Sequence, residues 1–77
     1  MAPDDYNLTR KEITILRYVA QGANARAISG KLRIQTRTVH YYFTTIKNKL
    51  NVTSMEEVMF IAGREGLLGE YGPGDEV

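Results

Sequence analysis

An all-α domain of four helices is what this 77-residue sequence predicts, and three features carry the prediction. Two Ser/Thr-x-x-Glu boxes, Thr9 to Glu12 and Ser54 to Glu57, mark helix starts, because the hydroxyl takes an orphan amide and the carboxylate reaches back. Val39, Phe43, Ile46 and Leu50 recur at i, i+4, i+7 and i+11, one stripe of a helix. Strand signals are absent. The only β-rich run, Thr38 to Ile46, carries helical rather than alternating periodicity.

The elements follow in order. Residues 1–7 read as a flexible leader, since Pro3 and the Asp4–Asp5 pair disfavour regular structure. The first helix starts from a Thr9 cap and runs to about Gln21. Leu8 and Ile13 form a hydrophobic staple, and Ile13, Leu16, Val19 and Ala20 face inward. Gly22 is the left-handed terminator. Asn24 caps a short second helix whose core face is Ile28 and Leu32. Ser29 and Gly30 are small enough to let another helix approach closely, and a packing role would offset the helix propensity that Gly30 loses. Arg33-Ile34-Gln35 makes the turn, with Ile34 inward. The third helix spans about Thr36 to Leu50, and Asn51 ends it in the left-handed conformation. The fourth starts after Ser54 and stops near Gly66. Residues 69–77, GEYGPGDEV, read as a disordered acidic tail, which leaves one domain at 8–68.

Size and composition narrow the functions. A chain this short supports one small core, yet 43% hydrophobic residues is a globular value. There is no cysteine, which excludes disulfides, thiolate metal sites and cysteine nucleophiles. No apolar run approaches the roughly 20 residues that cross a bilayer, and the acidic N-terminus has no signal-peptide core, so a cytoplasmic protein without membrane contact is expected. Catalysis is poorly supported. The single histidine, His40, has no evident orienting partner and no companion metal ligand, and there is no Gly-rich phosphate loop. No cofactor, metal or small-molecule ligand is expected.

Charge is segregated beneath a formal net of +1. Residues 8–50 hold nine Lys or Arg against one acid, Glu12; the rest of the chain holds one base, Arg64, against eight acids. The third helix carries Arg37, His40, Tyr41, Thr44 and Asn48 opposite its apolar stripe. A helix that buries one side and offers Arg, His, Tyr and Thr on the other, within a basic segment, fits the major groove of double-stranded DNA. The competing reading is an ordinary amphipathic helix with a solvated polar face.

Leu8-Thr9-x-x-Glu12, Gly22, Ile28, Leu32, Ile34, Thr38-Val39, Ile46, Lys49-Leu50 and Val52 resemble, in order and without a gap, the LuxR/GerE-type helix-turn-helix. The resemblance covers about residues 8–68. It implies a four-helix fold in which the second and third helices form the helix-turn-helix, the third enters the groove and the fourth dimerises. His40, Tyr41 and Thr44 then match base-reading positions, with Arg37 at the start of the recognition helix. Thr38 and Lys49 match phosphate contacts, and Thr9, Lys47 and Asn48 are added as phosphate candidates. The chain departs from the family pattern at Ala27, Gln35, His40, Tyr42, Asn51 and Met55, where Glu, Ser, Lys, His, Gly and Arg are usual. His for Lys at position 40 removes a permanent charge from the reading face, so base preference should differ from the family norm. Met55, Met59 and Phe60 belong to an apolar surplus in the fourth helix and are the candidates for a homodimer contact on DNA. The alternative is a protein-interaction module that sequesters a related regulator through this fourth helix.

Overall fold

Four polar caps and four left-handed residues cut the chain into its elements. The computed structural model describes residues 6–68, in which α1 (Arg10–Ala20), α2 (Ala25–Leu32), α3 (Thr36–Leu50) and α4 (Met55–Glu65) follow one another with no strand. The expected acidic tail and residues 1–5 of the expected leader lie outside the described residues. Tyr6 is half-buried and packs against the core.

The N-terminal caps differ in strength. At α1 the full capping box forms: Thr9 Oγ1 accepts from the Glu12 amide at 3.1 Å and Glu12 Oε1 accepts from the Thr9 amide at 2.8 Å. Asn24 Oδ1 accepts from the Ala27 amide at 2.9 Å to start α2. The box expected at α4 forms only by half. Ser54 Oγ accepts from the Glu57 amide at 3.1 Å, but Glu57 Oε1 takes the amide of Thr53, one residue earlier. The N-cap of α3 is Gln35, which makes no side-chain cap bond.

Every C-terminus closes the same way. Gly22, Arg33, Asn51 and Gly66 have φ of 96°, 60°, 61° and 71°. The following amide then folds back five residues: Ala23 to Tyr18 O, Ile34 to Ser29 O, Val52 to Lys47 O and Leu67 to Ala62 O, at 2.9–3.1 Å. This is the Schellman arrangement, which satisfies orphan carbonyls and tucks an apolar residue under the last turn. Ala23, Ile34 and Val52 are partly buried against the core, and Leu67 is only 1% exposed. Gly and Asn adopt left-handed φ readily; Arg33 does so against a steric cost of about 1 kcal/mol.

The core joins all four helices through Ile15 and Leu16, Ile28, Val39, Ile46 and Leu50, and Val58. Within α1 the inward set differs from the expected one. Ile15 is fully buried, Val19 is half-buried and Ala20 is exposed. Six consecutive residues, Glu12 to Arg17, are buried, so neighbours cover α1 nearly all round in its middle and a single 3.6-residue stripe underestimates its burial. On α3, Val39, Ile46 and Leu50 are buried as expected and Phe43 is half-buried at the edge of the stripe. Gly30 does not serve close packing. It is exposed, and a Cβ built on it meets nothing within 4 Å. The neighbouring Ser29 acts through its hydroxyl, donating to Arg26 O at 2.8 Å and accepting from Thr36 Oγ1 at 3.3 Å, a bond from α2 to the first turn of α3. Among the described residues no helix is long and apolar enough to cross a membrane.

Candidate nucleic-acid interface

The two faces of α3 are built from the same spacing, offset by two residues. Val39, Phe43, Ile46 and Leu50 turn inward, while Arg37, Tyr41, Thr44 and Asn48, again at i, i+4, i+7 and i+11, are exposed. His40 is exposed on the flank of this outer stripe. Burial of the first set forces presentation of the second, because side chains at these positions lie on opposite sides of one rigid cylinder.

Neighbours hold several of these side chains in place. Arg37 Nε donates to Gln35 Oε1 at 3.0 Å. The His40 ring meets the Phe43 ring edge-on at 5.7 Å, and the Tyr41 ring meets that of Tyr42 at 5.9 Å. Tyr42 is half-buried against the core, so it braces the 65%-exposed Tyr41 from behind. Gln35, marked in the sequence only as a departure from the usual Ser, thus positions Arg37. Its partner lies two residues on, across a helix start, where no periodicity rule pairs side chains.

The phosphate candidates separate into two groups. Asn48 is exposed at the end of the outer stripe, and Thr38 and Lys47 are half-buried on α3. Thr9 and Lys49 instead meet at one corner of the fold. Lys49 Nζ donates to Glu12 Oε1 at 2.8 Å and to Asn7 O at 2.9 Å, and the same Glu12 oxygen receives the Thr9 amide. Glu12 is only 3% exposed and Lys49 27% exposed. Two of the three ammonium donors of Lys49 are therefore committed to fastening the end of α3 to the start of α1. No local signal in the sequence announces a pair whose members lie 37 residues apart.

Arg10, Lys11, Arg26, Lys31, Arg33 and Arg37 keep their side chains exposed, so α1, α2 and the turn into α3 all carry surface cations. Arg17 is buried and adds nothing to that surface charge. Lys31 Nζ sits 5.5 Å from the centroid of the Tyr18 ring. Between α1 and α2 lies a depression of about 250 Å³ lined by Arg10, Lys11, Thr14 and Leu32; with neither acid nor histidine, this lining holds no general acid–base pair. Among the described residues no cluster of His, Cys, Asp and Glu is suited to a metal ion.

The dimer candidates are not equivalent. Met55 and Met59 are half-buried and pack against the core, leaving only part of each available. Phe60 is 66% exposed, with the Arg64 guanidinium 5.4 Å from its ring centroid.

Comparison with known proteins agrees with this architecture. Residues 6–62 match GerE, described as bacterial regulatory proteins, luxR family. Among curated proteins, the chain is 37% identical over 65 residues to the transcriptional regulatory protein YdfI of Bacillus subtilis, covering 84% of this chain and 30% of that protein. It is 39% identical over 61 residues to the transcriptional activator protein ExaE of Pseudomonas putida, covering 79% of this chain and 28% of that one. With BvgA of Bordetella pertussis, a putative positive transcription regulator of virulence factors, it shares 35% identity over 60 residues, 78% of this chain and 29% of the relative. The chain thus spans under a third of the length of these relatives. No match was found among solved structures.

Proposed function

The chain belongs to the luxR family of bacterial regulatory proteins, and from that premise we propose that its domain binds double-stranded DNA with sequence preference by laying α3 in the major groove. The observation that carries this is the joint exposure of Arg37, His40, Tyr41, Thr44 and Asn48 on the side of α3 away from the core. Arg37, His40, Tyr41 and Thr44 reach base edges, and Thr38, Lys47 and Asn48 lie on the phosphates. Thr9 and Lys49 sit where the backbone passes the α1–α3 corner, with one ammonium donor of Lys49 left for a phosphate. The exposed bases of α1 and α2 add long-range attraction. Work on DNA places the domain in the cytoplasm.

One recognition helix covers only a few base pairs, too few for a useful specificity ratio. The domain therefore works as a homodimer on a two-fold symmetric site, joined through α4, with Phe60 at the contact and the outer edges of Met55 and Met59 beside it. Half-sites then lie about one helical turn apart.

The deciding experiment is a titration of fluorescent duplex at several salt concentrations. A groove binder releases counterions, so its affinity falls steeply and linearly on logarithmic axes as salt rises. The exposed Phe60 also fits a module that sequesters a related regulator. Such a module shows no salt-dependent DNA binding and instead forms a complex, sensitive to Phe60→Glu, with a regulator of the same family.

A further inference from the structure

Base-reading chemistry is unevenly distributed along the outer stripe of α3. A bidentate guanine contact needs Arg or Lys, an adenine contact needs Asn or Gln, and a cytosine contact needs a carboxylate acceptor. Arg37 stands at one end of the stripe and Asn48 at the other. Between them stand only Tyr41 and Thr44, which carry no permanent charge, no amide and no carboxylate. What they offer is an aromatic ring and a methyl group beside hydroxyls, and apolar groups of this kind meet the C5-methyl of thymine.

Resting on the reading that α3 lies in the major groove, we propose that Tyr41 and Thr44 select half-sites with thymines at the centre and that Arg37 takes a guanine at the end nearest the start of α3.

The geometry favours this assignment in three ways. The Tyr41 ring is 65% exposed and braced at 5.9 Å by half-buried Tyr42, so it presents apolar surface at a low ordering cost. His40 lies on the flank of the stripe with its ring edge-on to Phe43 at 5.7 Å, so the base edge it reaches lies beside the thymines that Tyr41 and Thr44 meet. The Arg37 Nε is held by Gln35 at 3.0 Å, which leaves the two terminal nitrogens to fork onto a guanine edge. Spacing then sets the pattern. At about 1.5 Å of rise per residue, Arg37 stands about 6 Å from Tyr41 along the helix and Tyr41 about 4.5 Å from Thr44. Because a helix in the major groove follows the groove rather than the duplex axis, these separations fix the order of the contacts, the guanine first and the thymines after it.

The test begins by selecting bound sequences from a random duplex pool with the full chain at fixed salt. In the selected duplex, each central thymine is then replaced by deoxyuridine, which removes the C5-methyl and leaves the hydrogen-bonding edge intact. The selection should return thymine-centred half-sites flanked by guanine, and each methyl removed should weaken binding about fourfold. The Tyr41→Ala/Thr44→Ser variant should no longer distinguish thymine from deoxyuridine. Both positions are exposed, and an unchanged melting curve verifies that the variant is folded. Salt-dependent binding with a G·C centre, or with no response to deoxyuridine, overturns the thymine assignment and leaves the groove reading standing. No salt-dependent binding to any duplex overturns both.

Discussion

Replacing Lys49 with Met leaves the aliphatic stem in place and removes the ammonium from a carboxylate that has almost no access to water. Glu12 is 3% exposed, and Lys49 Nζ is bonded to its Oε1 at 2.8 Å. After the substitution Glu12 keeps its bond from the Thr9 amide, and the carbonyl of Asn7 loses the donor that Lys49 supplied. Removing one partner of a fully buried ion pair costs about 3–5 kcal/mol. Lys49 is 27% exposed, so water partly replaces its ammonium and the expected loss is about 2–3 kcal/mol. Small domains have about 5 kcal/mol to lose, and the melting temperature should fall by roughly 10–20 °C. Thermal unfolding followed by circular dichroism measures this. The Glu12→Gln/Lys49→Met pair supplies the control, because the introduced side-chain amide presents a neutral oxygen to the Thr9 amide. The double variant should recover at least about half of the loss. If Lys49→Met melts within about 3 °C of the parent, or if neutralising Glu12 gives no recovery, the corner is not an energetic link between α1 and α3. Salt titrations of the folded variant measure any phosphate contact separately, as a change in slope of about one.

Other substitutions test other parts of the structure. Val39→Asp should abolish cooperative unfolding altogether, since Val39 is 0% exposed and an isolated buried carboxylate costs several kcal/mol; a melt near that of the parent would remove Val39 from the core. Gly30→Ala should stabilise the domain by up to about 1 kcal/mol in denaturant titrations, because the added methyl meets open space; a loss of stability would mean that another group occupies that space. Leu67→Ala should cost about 2–4 kcal/mol, as it empties the buried pocket beneath the end of α4, and a change below about 0.5 kcal/mol would show that this cap adds no packing. Phe60→Glu should leave the monomer's melting point unchanged yet reduce the cooperativity of duplex occupancy; unaltered cooperativity would exclude this face of α4 from the dimer.

Much of the domain is local, and for that reason it is legible in the sequence. Thr9, Asn24 and Ser54 announce three helix starts because a cap and the amide it accepts lie three residues apart. Gly22, Asn51 and Gly66 announce three stops because glycine, lacking a Cβ, and asparagine, with its short polar side chain, both adopt positive φ readily. The alternation of inner and outer stripes on α3 follows from the 3.6-residue repeat alone, so Arg37, His40, Tyr41 and Thr44 could be placed on one exposed side before any packing was known.

Tertiary structure decided what depends on neighbours distant in the chain. The burial of Ile15 and the exposure of Ala20 follow from how many elements surround α1, which no single-helix period encodes. Half-burial of Met55 and Met59 against the exposure of Phe60 depends on where α4 meets the core. The left-handed Arg33 is held by the tight turn between two packed helices, although its residue type opposes that conformation. Lys49 shows the division most clearly. Its charge and helix position are properties of the sequence, and the resemblance to the family suggested a phosphate contact for it; the fold brings Glu12 and Asn7 to 2.8 and 2.9 Å from its ammonium. Because Glu12 is almost out of water, its attraction for this cation is screened less than that of a solvated partner would be, and the pair fastens α3 to α1.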